Sequence, residues 1–559
     1  MKVGAITSII AAMANVRVGA AERPAFLKSG DRVVFCGDSI TEQRMYANYV
    51  EDYLSLRYPE MNLSFVNAGW GGDTAKGGAL RLDRDVLAVK PDVVILCYGM
   101  NDGGYCYVKP EDAAGAFGKS MRAIVKRLKA RKVRVVMLTN GAADDSVDAL
   151  KWLRDVGDYN AGALKAIKNE ALRIAADEGL PSFDLFTLML DTLARAKKEG
   201  VDMGKDGIHP DESGSLIMAY GLLKALGVPP RHEEIRADLS AGKGRGNPAV
   251  RNLERTGDGW TFDLKLDGLP YCVDEKARKM LPYLPFTQEF NDVRFAIDGL
   301  PDGSWYLKLD GAITPVMTRG ELDQGLSLTS LWGTAPMAAA TRFAAATREK
   351  CNLYRQFWRA LALPDNFVVE APYDRRPHML GLKLAGEAET WRRSLLVSPV
   401  VKVEVVRVDR APIALKAGQA ITKWRMAAGF SAHPAKLTAP SAPPLAGWAE
   451  AVLEDPNVAT GMKCAYANPN PVLVNALAVL ESDAAQEAVV TLEGQNDFLV
   501  CLNGRDGPSV KEEDAGKDIK LALTQGRNVL LLVARNKRGP VDGFRVIIKS
   551  AAAGLKQAF

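Results

Sequence analysis

The segment Asp92–Tyr98 (DVVILCY) is apolar at every position from Val93 onward. A strand of that kind has no polar face to give to water, so it belongs in a sheet covered on both sides. Its neighbours repeat the theme. Arg32–Cys36, Leu63–Asn67, Val133–Leu138 and Ser182–Leu185 read as further short strands. Between them, Ile40–Tyr58 carries Met45, Tyr46, Tyr49, Val50, Tyr53 and Leu54 at helical spacing, and Glu111–Ala130, Asn160–Glu178 and Glu212–Leu226 read as helices. Continuously apolar strands alternating with helices over residues 31–226 predict an α/β fold with a parallel sheet between helical layers. In such sheets, ligands bind beyond the carboxyl ends of the strands.

A chain of 559 residues exceeds what one hydrophobic core supports. Ser240–Pro248 (SAGKGRGNP) reads as a linker; its G-x-G-x-G follows no apolar strand and opens no helix, which excludes a nucleotide loop. Residues 249–395 have mixed character, with strands at Trp260–Leu266 and Trp305–Leu309 and a long helix over Pro336–Leu363. From Val400 short strands alternate with turns, which predicts an all-β sandwich over 396–559. The expected organisation is therefore a segment at 1–22, an α/β domain at 25–230, a linker at 240–248, an accessory region at 249–395 and the sandwich.

Residues 1–22 have the pattern of a signal peptide. Lys2 precedes an apolar run from Val3 to Val16, and small residues follow at Gly19-Ala20-Ala21, so a secreted or periplasmic protein is expected. No later stretch has the length of a transmembrane helix. With 72 basic against 67 acidic residues, and no basic stripe interleaved with aromatics, the charge gives no reason to expect nucleic acid. The seven cysteines are dispersed, with no C-x-x-C pair and no metal-ligand spacing, and Cys36 and Cys97 read as buried thiols.

Four segments lie where the sheet rule points. Gly37-Asp38-Ser39-Ile40 sits at the junction of the first strand and its helix, where backbone N–H groups can hold an anion; alone, it is also what a helix N-cap looks like. Asn67–Thr74 (NAGWGGDT) follows the second strand, and Gly99-Met100-Asn101-Asp102 follows the most apolar one; each alone is also a good turn. Asp206-Gly207-Ile208-His209 precedes the last helix, and His209 is one of only four histidines in the chain. A carboxylate three residues before an imidazole can set its tautomer, and both can reach one serine.

Together these segments resemble the SGNH hydrolases, the GDSL-type esterases and lipases, over roughly residues 30–228. The resemblance implies a flavodoxin-like three-layer α/β fold, Ser39 as nucleophile, His209 as general base and Asp206 as its orienting carboxylate. It implies an oxyanion hole made by Ser39, Gly72 and the Asn101 side chain, with no metal or organic cofactor. The C-terminal run is similar to the jelly-roll sandwiches attached to carbohydrate-active enzymes, the matching parts being Phe498–Gly504 and Leu523–Asn528. The expected activity is thus a serine ester hydrolase acting on an acylated carbohydrate, such as a polysaccharide O-deacetylase. The alternatives are a lipid esterase or lysophospholipase, and a non-catalytic carbohydrate-binding protein on the same scaffold. Trp70, Tyr105 and Tyr107, with Tyr98, are aromatics near the catalytic loops with two readings, platforms that stack on sugar rings or members of the core.

Overall fold

The computed structural model describes residues 23–558. Left outside are 145–149, 151–155, 241–248, 364–372, 397–398, 408–412, 415–420, 429–448, 453–472, 536–543 and scattered single or paired positions. The expected leader at 1–22 and almost all of the expected linker at 240–248 lie outside the described residues. Among the described residues no helix is long and apolar enough to cross a membrane.

Five strands form the first sheet: β1 (Arg32–Gly37), β2 (Ser64–Asn67), β3 (Val93–Cys97), β4 (Arg134–Leu138) and β5 (Ser182–Phe183), in the order β2-β1-β3-β4-β5. Every pairing is parallel. Each residue of β3 is buried, as its composition requires. Helices α1 (Ser39–Glu42), α2 (Met45–Arg57), α3 (Ala75–Arg81), α4 (Pro110–Ala130), α5 (Lys165–Glu178), α6 (Leu185–Ala196) and α7 (Glu212–Ala225) fill the connections. In α4, Pro110 occupies the first turn with Glu111 and Asp112, Arg127 and Lys129 occupy the last, and Phe117, Met121, Ile124, Val125 and Leu128 form the buried stripe. The strand order reverses between β1 and β3, so the chain leaves the sheet there in two directions and opens a crevice at the carboxyl edge.

Beyond the sheet, β6 (His232–Asp238) pairs in parallel with β9 (Asp292–Asp298), while β7 (Val250–Thr256), β8 (Gly259–Lys265) and β10 (Ser304–Leu309) belong to an antiparallel sheet. Strand β11 (Val400–Arg407) lies between β8 and β10 in that sheet. This corrects the expectation from sequence, which places the strand in the C-terminal sandwich. Alternation identifies a strand and its buried face but not its partner, and β11 turns Val401, Val403 and Val405 onto the same core as Phe262 and Trp305. The rest of the C-terminal region is all-β, with its own apolar cluster that includes Leu480, Val490, Phe498, Leu530 and Ile548.

Two helices of the accessory region, α8 (Ala335–Arg355) and α9 (Arg375–Ser394), pack on the α/β domain. Phe343, Tyr354 and Trp358 share one apolar cluster with Tyr53, Val94 and Ile95. Helix α8 runs on through a π-helical turn at Gln356–Leu361.

Candidate active site

The chain turns out of β1 at Gly37. Asp38 then caps α1, its Oδ1 accepting the Ile40 N–H at 3.0 Å, which leaves Ser39 as the first helical residue. The imidazole of His209 approaches from the loop before α7. Its Nε2 is 2.8 Å from Ser39 Oγ and its Nδ1 is 2.7 Å from Asp206 Oδ2. The second carboxylate oxygen of Asp206 accepts the backbone N–H groups of Ile208 (3.0 Å) and His209 (2.7 Å), so carboxylate and ring are locked to one loop. Partial burial works to raise the Asp206 pKa. The hydrogen bonds from the His209 backbone and ring and from Ile208 outweigh it and hold the carboxyl below its ordinary value. Gly207 makes the loop feasible: its φ is +75°, and a Cβ there would stand 2.5 Å from the Asp144 carbonyl.

The two other loops converge on the same point. Gly72 has φ +72° with open space where a Cβ would be. Among the described residues the N–H groups of Ser39 and Gly72 donate to no protein acceptor. The Asn101 amide donates one Nδ2–H to the Asp73 carbonyl at 2.8 Å, and its Oδ1 accepts the Tyr105 hydroxyl at 2.7 Å.

Beneath these groups lies a side chain that sequence reasoning did not single out. Arg81, fully buried, donates to Gly37 O (3.0 Å), Ala68 O (2.7 Å), Asp73 Oδ2 (2.7 Å) and Tyr98 Oη (2.7 Å). One guanidinium thus ties together the carboxyl ends of β1, β2 and β3, using the rigid donor fork that lysine lacks. Asp38 and Asp102 are buried nearby, and burial pushes each carboxyl up to about 7. Asp102 accepts the Ala75 N–H at the start of α3.

The aromatics separate. Trp70 is 2% exposed and Tyr98 1%, so neither is available as a sugar platform. The Trp70 ring is covered by the Arg359 guanidinium, 3.6 Å from its centroid. Tyr98 is spent on Arg81 and Asp73. Apolar character beside a catalytic loop does not distinguish a platform from a packed wall. Tyr105 is half-buried and bonded to Asn101, and Tyr107 is 84% exposed.

Residues 35–217 match the family described as GDSL-like Lipase/Acylhydrolase. This segment belongs to the SGNH hydrolases. An acetylxylan esterase from Geobacillus stearothermophilus is 26% identical over 223 residues, covering 36% of this chain and 95% of the relative. Among solved structures, a gut microbial diltiazem-metabolizing enzyme has 22% identity and a TM-score of 0.59, covering 68% of this chain and 98% of its own. That shared fold covers more of the chain than the family segment does. In the SGNH domain Ser39, Gly72 and Asn101 follow β1, β2 and β3, and Asp206 and His209 come from the loop before α7.

Proposed function

We propose that the chain is a serine ester hydrolase that works through an acyl-enzyme and removes short acyl groups, acetyl foremost, from carbohydrate. One observation carries the reading: His209 stands within 2.8 Å of both the Ser39 hydroxyl and the Asp206 carboxylate, at the carboxyl edge of the sheet. With Nδ1–H donated to Asp206, Nε2 of neutral His209 accepts the Ser39 proton as Oγ attacks the ester carbonyl. Negative charge collects on the carbonyl oxygen. The N–H groups of Ser39 and Gly72 and the remaining Nδ2–H of Asn101 meet it, and losing one such donor typically costs about 10²–10³ in rate. As the tetrahedral intermediate collapses and its C–O bond to the sugar breaks, the imidazolium protonates the leaving sugar oxygen, releasing the alcohol. Water, deprotonated by His209, attacks the acyl-enzyme and releases the acid. The similarity to an acetylxylan esterase supports acetylated carbohydrate as the substrate class.

The test is kinetic. Ser39→Ala is expected to abolish hydrolysis and labelling by a fluorophosphonate probe while leaving the circular dichroism spectrum unchanged. The wild type should prefer p-nitrophenyl acetate to the octanoate and release acetate from acetylated xylo-oligosaccharides. Turnover persisting in Ser39→Ala defeats the nucleophile assignment. A preference for octanoate turns the reading toward a lipid esterase.

A further inference from the structure

Sugar stacking is one of the two sequence readings of Tyr105, and its surroundings argue for a different task. One face of its ring is already taken, stacked on Tyr159 with centroids 5.4 Å apart and planes 24° from parallel. Its hydroxyl points inward and donates to Asn101 Oδ1 at 2.7 Å. The partner ring is itself anchored: Tyr159 is buried, and its hydroxyl donates to the carbonyl of Met100, the residue before Asn101. The backbone holds this arrangement at a cost. Tyr105 (φ 51°) and Cys106 (φ 69°) are consecutive non-glycine residues in the left-handed region, a conformation that persists only where the surroundings enforce it.

A primary amide has one acceptor oxygen and two N–H donors. In Asn101 the oxygen is engaged by Tyr105 and one N–H by the Asp73 carbonyl, so a single N–H is left and its direction is fixed. We propose that Tyr105 is a positioning residue of the oxyanion hole: its hydroxyl holds and polarises the Asn101 amide so that the remaining N–H meets the oxyanion. Donation to Oδ1 draws electron density from the amide nitrogen and strengthens that N–H as a donor. Burial, with the Asp38 and Asp206 carboxyls, pushes the Tyr105 hydroxyl up to about 12, so it remains a donor throughout the neutral range. The proposal rests on the reading of Asn101 as an oxyanion donor.

A double-mutant cycle separates the two claims. Tyr105→Phe keeps the ring and its stack and removes only the hydroxyl, and rates are referred to active sites titrated with a fluorophosphonate, so that misfolded protein does not count. Tyr105→Phe should lower kcat about tenfold with KM changed less than twofold. It should weaken inhibition by a short-chain boronic acid by the same factor. In an Asn101→Ala background, itself expected to lose about 10²–10³ in kcat, Tyr105→Phe should change kcat less than twofold. If Asn101→Ala lowers kcat but Tyr105→Phe does not, the positioning role is overturned and the oxyanion reading stands. A rise in KM at unchanged kcat makes Tyr105 a substrate contact and overturns the proposal, as does an undiminished loss in the Asn101→Ala background. If Asn101→Ala leaves kcat untouched, the oxyanion reading fails and the proposal fails with it.

Discussion

Asp38, Asp52 and Asp102 are buried carboxyls, and burial is the largest cause pushing each up to about 7. In the unfolded chain an aspartate releases its proton near ~3.9. Between those values the native state holds protons that the unfolded state has lost, so stability falls as pH rises. The contribution is complete below the unfolded pKa and is gone once pH has passed through the folded one. The melting temperature is therefore expected to decline from pH 5 to pH 7.5, and Asp102→Asn, whose amide oxygen can still accept the Ala75 N–H, should flatten the slope. A melting temperature that climbs across this window in the wild type would refute the assignment. Asp206 has the opposite sign: its depressed pKa keeps it ionised here, and its contribution is lost only as pH falls through that lower value. Ser39, Gly72 and Asn101 were legible in the sequence because their chemical type and their place after a strand both count, and Asp206 and His209 because of their spacing on the loop before the last helix. Arg81 was not. Its importance lies in reaching two strand-end carbonyls, a carboxylate and a phenol at once, and those are neighbours only in three dimensions.

At the scale of elements, α8 and its π-helical turn form a wall of the site. Arg355 pairs with Glu42, three residues past Ser39, at 2.7 Å, and Arg44 donates to Asn352. Arg359 lies over the ring of Trp70, in the glycine loop, and Trp358 meets that ring edge-on. Burial, against the pull of Glu42, lowers the Arg359 pKa to about 10, with Arg81 and Arg355 adding to the shift. Arg359→Ala should cost about 1–2 kcal/mol in urea denaturation through the lost cation–π contact and lower kcat by loosening the loop that carries Gly72. Arg359→Lys should not restore either, because an ammonium cannot stack as a planar guanidinium does; full rescue by lysine would sink the stacking argument. Helix α8 was legible from its alanine-rich run and Pro336 in the first turn. Helix α6 was not, because LFTLML is apolar at every position but Thr187 and a short run of that kind has no clear period to read. Helix α9 was hidden by Pro377, Gly381 and Gly386, yet Pro377 falls in its first turn and Gly381 admits the close approach of Phe357.

Across the whole molecule, the α/β domain and the two accessory helices share one apolar core, the accessory strands around Phe262 and Trp305 form a second, and the C-terminal strands have a third. The first unit also contains a buried charge cluster. Arg392, with no exposed surface, contacts Glu51 at 2.9 Å and Glu389 at 2.8 Å, donates to Thr347 and Ser55, and lies over Phe343. Lys350 bridges Glu51 and Glu389. Burial opposes ionisation of Glu389, but Lys350 and Arg392 more than reverse it and hold the carboxyl down to about 2. These contacts join α2 of the hydrolase to α8 and α9. Arg392→Ala strands Glu51 and Asp52 with too little positive charge, and removing one partner from a buried ion cluster costs about 3–5 kcal/mol. Scanning calorimetry of the wild type should resolve the transition of the hydrolase unit from that of the C-terminal core, with loss of esterase activity on heating tracking the hydrolase unit. Arg392→Ala should lower that transition by roughly 5–10 °C and leave the other in place, because among the described residues no side chain of the cluster belongs to or contacts the C-terminal core. If the two transitions shift together, the cores are not thermodynamically separate. If the activity-linked transition stays where it was, the cluster does not hold the accessory helices to the hydrolase.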